Sequence, residues 1–254
     1  MSHSTVLVTG ASRGTYTLIG SDDWAALVAK YLLRPDTTVV ATVRRATAEI
    51  VSKLQSLPRG QDCKLVILPF DINVASSAAD TVARLKAEHG IQRLDVAIAN
   101  AGICDAWGPV AEMSEAELLM HLEVNALGLL RLYKATIPLL NAAETPKLIY
   151  VSTSVSSLSN LNARSATTEY GISKMAGNFL IKMIGIEHSN VIAFPICPGF
   201  VQTDMGNRGA KVNGLEKAPV TVEESTAGIM QQIDLASKET TGRFLRYDGE
   251  EIPW

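Results

Sequence analysis

Long apolar runs are missing from this sequence. Nothing approaches the ~18–20 consecutive apolar residues that a membrane-crossing helix needs, so no membrane partner is expected. Basic blocks are missing too. The 23 Lys and Arg residues stand against 26 Asp and Glu, for a formal charge of −3. Without a cationic stripe, nucleic acid is not an expected partner. Cysteine is scarce: Cys63, Cys104 and Cys197 are odd in number and widely spaced, which predicts reduced thiols rather than a disulfide framework or a zinc site. His3, His89, His121 and His188 stand apart with no ligand spacing, so no metal is expected. Met1-Ser2-His3-Ser4 runs directly into strand-like sequence, which predicts no secretory leader and a cytoplasmic location. No linker, repeat or low-complexity segment interrupts the chain, and one domain over residues 1–254 is the simplest organisation.

What is present is alternation. Hydrophobic residues make up 47% of the chain, enough for a sizeable core. Short runs rich in Val, Ile and Leu read as strands over Thr5–Thr9, Thr37–Val43, Lys64–Pro69, Leu94–Ala99, Lys147–Ser152, Val191–Ile196 and Arg243–Arg246. Amphipathic segments between them predict helices over Asp22–Leu33, Ala46–Gln55, Ser76–His89, Ser114–Leu140, Thr168–Glu187 and Thr221–Leu235. Ser114 and Thr221 are each followed at the third position by a carboxylate, the signature of a helix start. Strand–helix alternation implies a parallel sheet with right-handed crossovers, hence a doubly wound α/β fold. The long segment Ser114–Leu140 is apolar enough to call for cover from a second subunit or from ordinary core packing.

In such a fold ligands bind beyond the carboxyl ends of the strands. Chemically useful residues converge there. Gly10 and Gly14 follow the first strand and Arg44 and Arg45 the second. Asp71 follows the third and Asn100-Ala101-Gly102 the fourth. Ser152–Ser154 end the fifth, and Pro198-Gly199 follow the sixth. Tyr170 and Lys174 lie four residues apart in a predicted helix, on one face and one turn apart. An ammonium beside a phenol favours the phenolate, so Tyr170 is expected to exchange its proton nearer neutral pH than its ordinary value of about 10.

Together, Thr9-Gly10-Ala11-Ser12-Arg13-Gly14, Phe70-Asp71, Asn100-Ala101-Gly102, Asn125, Ser154, Tyr170 with Lys174, and Pro198-Gly199 with Thr203 give a chain that resembles the short-chain dehydrogenase/reductase family over almost its whole length. Its ending, Phe244 to Trp254, resembles that of fungal members that reduce aromatic polyketide ketones. The resemblance implies a Rossmann-like sheet of seven parallel strands with helices on both faces, and a ketone as small-molecule substrate. It implies Tyr170 as proton donor, Lys174 as the group that lowers the phenol pKa and holds the nicotinamide ribose, Ser154 as hydrogen-bond partner of the substrate oxygen, and Asn125 as holder of a water on the proton path from Lys174. Counting back from Tyr170 by the usual family gap reaches Ser157 instead of Ser154. The resemblance also implies cofactor contacts from Gly10, Ser12, Arg13, Gly14, Asp71, Ile72, Asn100, Ala101, Gly102, Pro198, Gly199, Val201 and Thr203, together with Tyr170 and Lys174, and a homodimer or homotetramer. With no acid after the second strand and Arg44 in its place, the implied cofactor is NADP(H) rather than NAD.

The chain departs from that pattern in one region. Tyr16 stands where the family's third glycine lets the next helix pack closely, and Thr15–Gly20 intervene before Ser21-Asp22-Asp23, which read as a late N-cap and two first-turn acids. Carboxylates there would repel a pyrophosphate by about 1–2 kcal/mol per close pair. A non-redox enzyme on the same fold (isomerase, dehydratase or cyclase), or a binding scaffold, therefore stands beside the reductase as an expectation.

Overall fold

The computed structural model describes residues 3–11, 25–162 and 167–254. Seven strands form one sheet in the order β3-β2-β1-β4-β5-β6-β7. They are β1 (Ser4–Val8), β2 (Thr37–Val43), β3 (Lys64–Pro69), β4 (Val96–Ala99), β5 (Lys147–Val151), β6 (Ile192–Cys197) and β7 (Leu245–Arg246). Every pairing is parallel. The helices are α1 (Ala25–Leu32), α2 (Ala48–Gln55), α3 (Ser77–His89), α4 (Glu115–Leu122), α5 (Gly128–Leu140), α6 (Thr168–Glu187), α7 (Asp204–Val212) and α8 (Val222–Leu235). Among the described residues no helix is long and apolar enough to cross a membrane.

The period-2 alternation of the strands divides the core in two. On β1, Val6 and Val8 pack with α1 and α8 residues such as Leu27 and Ile229, while Leu7 packs on the opposite face. On β5, Ile149 and Val151 join the first cluster; Leu148 and Tyr150 join the second, with Leu132 of α5 and Ile181 of α6. Strand order reverses between β1 and β4, so the connections leaving their carboxyl ends run to opposite faces of the sheet and leave a crevice.

The strand boundaries predicted for β2 and β3 coincide with the structure. The fourth strand begins two residues late, because Leu94 donates its N–H to Leu139 of α5 instead of to the sheet. Ser114 and Thr221 cap α4 and α8, accepting from the N–H groups of Glu117 and Glu224. The helix predicted over Ser114–Leu140 is helical throughout, but with a π-turn over Glu123–Leu127 between α4 and α5. The widened turn aims the Asn125 amide at the loop after β4, where its Oδ1 accepts from Ile103 N and its Nδ2 donates to Ile103 O. Helix α7 was not predicted. Its glycines and asparagine are weak helix formers, and it is started by Thr203, whose Oγ1 accepts from Gly206 N at 2.9 Å.

Candidate active site

A cavity of about 450 Å³ opens at the carboxyl ends of the strands, a size suited to a small organic ligand. Its floor is the β1 and β4 ends, Gly10 and Asn100–Gly102. One wall is the β5 end with α6, and the other is the β6 end with α7. Gly10 is the tightest point. Its φ is +75°, and a Cβ there would fall 2.8 Å from Ala101 Cα, so only glycine lets the two strand ends come together. Thr9 completes the junction: its Oγ1 accepts from the N–H groups of Asn100 and Ala101 at 3.0 and 3.1 Å. Asn100 Nδ2 donates back to Thr9 O, and Asn100 Oδ1 is buried without a hydrogen-bond partner among the described residues.

Helix α6 presents Tyr170 and Lys174 to the cavity. Lys174 is 2% exposed. Its Nζ donates to Val151 O at 2.7 Å and lies 5.9 Å from the centroid of the Tyr170 ring. The phenol does not follow the sequence expectation. Burial, reinforced by the neighbouring Cys104 and Cys197, raises it above the ordinary tyrosine value, and a hydrogen bond from Thr153 opposes this only in part. Desolvation of the charged form therefore outweighs the nearby ammonium.

Four serines compete at the β5 end, and their bonds separate them. Ser152 donates to Asn178 Oδ1 at 2.6 Å. Ser156 donates to Thr153 O and accepts from Asn178 Nδ2. Ser157 is fully buried and donates to Pro253 O. Ser154 is exposed and lines the cavity. Hydrogen bonding from Ser154 and Gly199 favours the Cys197 thiolate, but burial outweighs it and pushes that thiol up.

Asn125 stays behind the cavity, 1% exposed; its Nδ2 also donates to Ser173 Oγ, which donates to Tyr170 O. Pro198, Gly199, Val201 and Thr203 line the β6 side. Arg44 and Arg45 are exposed just past β2. Asp71 and Ile72 lie outside the cavity. Asp71 Oδ1 accepts from Asn73 N, and Ile72 is buried with its carbonyl accepting from Arg131. Ser12, Arg13, Gly14 and the 15–23 insertion lie outside the described residues. Phe200 and Met205 line the cavity. So do Cys104, Trp107 and Leu215, which sequence reasoning missed. The signal available for Cys104 and Trp107 was their position two and five residues past the Asn100-Ala101-Gly102 strand end. Burial pushes the Cys104 thiol up to about 12.

Comparison with known proteins adds three findings. The profile of the family described as short chain dehydrogenase matches residues 4–212. The norsolorinic acid ketoreductase stcE of Emericella nidulans is 39% identical over 98% of this chain and 92% of its own length, and the norsolorinic acid ketoreductase nor1 of Dothistroma septosporum is 37% identical over 99% and 92%. The NADPH-bound carbonyl reductase from chicken fatty liver superposes with a TM-score of 0.83 at 25% identity, covering all of both chains.

Proposed function

The chain belongs to the short-chain dehydrogenase family and is an oxidoreductase, and we propose that it reduces a ketone with NADPH as hydride source and Tyr170 as proton donor. One observation carries the reading: Ser154, Tyr170 and Lys174 line a single cavity with Gly10, Asn100 and Gly102 at the reversal point of the sheet.

The residues present fit a dinucleotide. Asn100 Oδ1 offers a buried acceptor with no partner among the described residues. The Gly10–Ala101 junction leaves a bare backbone floor. Arg44 and Arg45 would hold the 2′-phosphate, and Lys174 the nicotinamide ribose. Bound there, NADPH supplies the hydride. The chain's own groups do the rest. The Tyr170 hydroxyl points its proton at the carbonyl oxygen and gives it up as the new C–H bond forms, so a C=O becomes CH–OH. Ser154 donates a hydrogen bond to the same oxygen as negative charge gathers on it. The Lys174 ammonium offsets the charge left on the phenolate. Trp107, Phe200, Met205 and Leu215 give the cavity an apolar side. With the norsolorinic acid ketoreductases as relatives, this favours a flat aromatic or polyketide ketone. A homodimer or homotetramer belongs to the same reading, since Leu119 of α4 and Phe179 of α6 are 66% and 69% exposed.

The reading is tested by titrating NADPH against the protein and following nicotinamide fluorescence, then assaying a panel of aryl alkyl ketones. Saturation in the micromolar range is expected, by analogy with common Michaelis constants. No binding up to millimolar NADPH overturns it and moves the assignment to non-redox chemistry.

A further inference from the structure

Tyr150 is a buried polar side chain for which the proposed chemistry has no use. It sits on β5, 1% exposed, and packs on the face covered by α5 and α6. Its hydroxyl donates to the main-chain oxygen of Asn125 at 2.9 Å. Asn125 lies in the π-turn, where the irregular ladder makes main-chain carbonyls available to outside donors. The Tyr150 ring lies 4.7 Å from Lys174 Nζ. Lys174 also donates to the carbonyl of Val151, the next residue on the strand. Strand β5 therefore grips one ammonium twice, by a ring and by a carbonyl.

We infer that Tyr150 is a positioning residue: its ring holds the Lys174 ammonium by cation–π attraction while its hydroxyl ties that grip to the π-turn carrying Asn125. The effect on turnover rests on the reductase reading above; the placement does not. Three further observations support it. Burial raises the phenol well above its ordinary value, so the hydroxyl stays a donor at any working pH. Helix α6 makes room for the ring: a Cβ on Gly177 would fall 2.3 Å from Tyr150 Cζ and from its hydroxyl oxygen. Glycine in a helix interior is unfavourable, and here the ring requires it. Finally, Asn125 Nδ2 donates to Ser173 Oγ and Ser173 Oγ to Tyr170 O. The bonds run from Tyr150 through Asn125 and Ser173 to the backbone of Tyr170 itself. The carbonyl that accepts the Tyr150 phenol belongs to Asn125, the residue to which the family resemblance gives a water on the proton path.

Two variants separate the ring from the hydroxyl: Tyr150→Phe keeps the ring, and Tyr150→Leu removes both. The first readout is proton NMR of the lysine ε-methylenes, with Lys174 assigned by loss of its signal in Lys174→Arg. Ring current from Tyr150 shifts that signal upfield in the wild type and in Tyr150→Phe, and the shift disappears in Tyr150→Leu. The second readout is steady-state reduction of 9,10-phenanthrenequinone by NADPH. Tyr150→Leu lowers kcat about 10- to 30-fold with KM for the ketone within twofold, and displaces the alkaline limb of the pH profile. Tyr150→Phe restores both to within about threefold. A wild type without the upfield signal overturns the inference, as does a folded Tyr150→Leu that matches Tyr150→Phe in kcat and pH profile. A wild type that shows the signal but reduces no ketone supports the placement and counts against the reductase reading instead. Should Tyr150→Leu not fold, the wild-type and Tyr150→Phe spectra decide the placement between them.

Discussion

Ser157 donates its hydroxyl proton to the main-chain oxygen of Pro253 across 2.5 Å. That bond turns the Ser157 hydroxyl toward the chain end, where Ser159 makes a matching bond to Trp254 O at 2.8 Å. Ser154→Ala is expected to lower kcat by about 10²–10³-fold, the usual loss when an oxyanion donor is removed. Ser157→Ala is expected to keep kcat within about twofold and to melt a few degrees lower, because a carbonyl loses its donor. Steady-state rates and thermal melts on both variants check the pair. Equal kinetic loss in the two would contradict the separation.

Tyr170 gives a pH prediction whose sign follows from burial. A raised phenol keeps its proton longer, so the donor form is complete through neutral pH and begins to decline only above the free-phenol value of about 10. Ketone reduction is therefore expected to be flat from pH 6 to about 9.5, while oxidation of the product alcohol, which needs the phenolate, climbs throughout. Tyr170→Phe should abolish both directions while NADPH still binds. A reduction profile that falls near pH 7 in the wild type, or activity retained in the variant, would show that another group delivers the proton.

Cys104 lines the cavity, yet its thiol is pushed up to about 12. At pH 8 its alkylation by iodoacetamide is expected to run at least about 100-fold slower than that of an exposed cysteine, because only the thiolate reacts. Stability follows the same cause. Between the unfolded value of about 8.5 and the folded value, the native state retains a proton that the unfolded chain has lost. This contribution is present in full below about pH 8.5 and declines as pH rises toward 12. Urea midpoints measured from pH 7.5 to 10.5 should fall, and should fall less in Cys104→Ala. An equal slope in the two proteins would remove Cys104 as the cause.

Arg44 and Arg45 follow β2 with no acid next to them in the sequence. Arg44→Glu combined with Arg45→Ala is expected to weaken NADPH at least about tenfold and leave NADH nearly unchanged, since a carboxylate repels the 2′-phosphate but accepts a 2′-hydroxyl. Fluorescence titrations with both nucleotides measure it. Parallel changes for the two would place these arginines away from the phosphate.

The parallel direction of the strands was legible because continuous Val, Ile and Leu runs between amphipathic segments imply strands covered on both faces and joined by crossover helices. The cluster at the strand ends was legible because residues such as Asn100 and Pro198 sit within a residue or two of a strand terminus. What escaped depended on side-chain geometry. The π-turn at Glu123–Leu127 leaves no mark in hydrophobic periodicity, because one extra residue in the ladder is smaller than the tolerance of a helical pattern. Tyr150 fell inside the predicted strand Lys147–Ser152 without a role of its own, since its link to Lys174 joins residues far apart in the chain. The direction of the Tyr170 shift was reversed because sequence spacing reveals the neighbouring charge but not the desolvation. Helix α7 escaped because a single threonine cap starts an otherwise weak helix.

Helix α6 carries one consequence beyond the site itself. Tyr170, Lys174, Gly177, Ile181 and Ile184 follow one another at three- and four-residue steps, and from Lys174 onward each is buried. Turning the helix by a single residue would rotate that stripe by ~100° and withdraw the phenol, the ammonium and the two isoleucines at once. Heat inactivation and loss of the fold should then share one determinant.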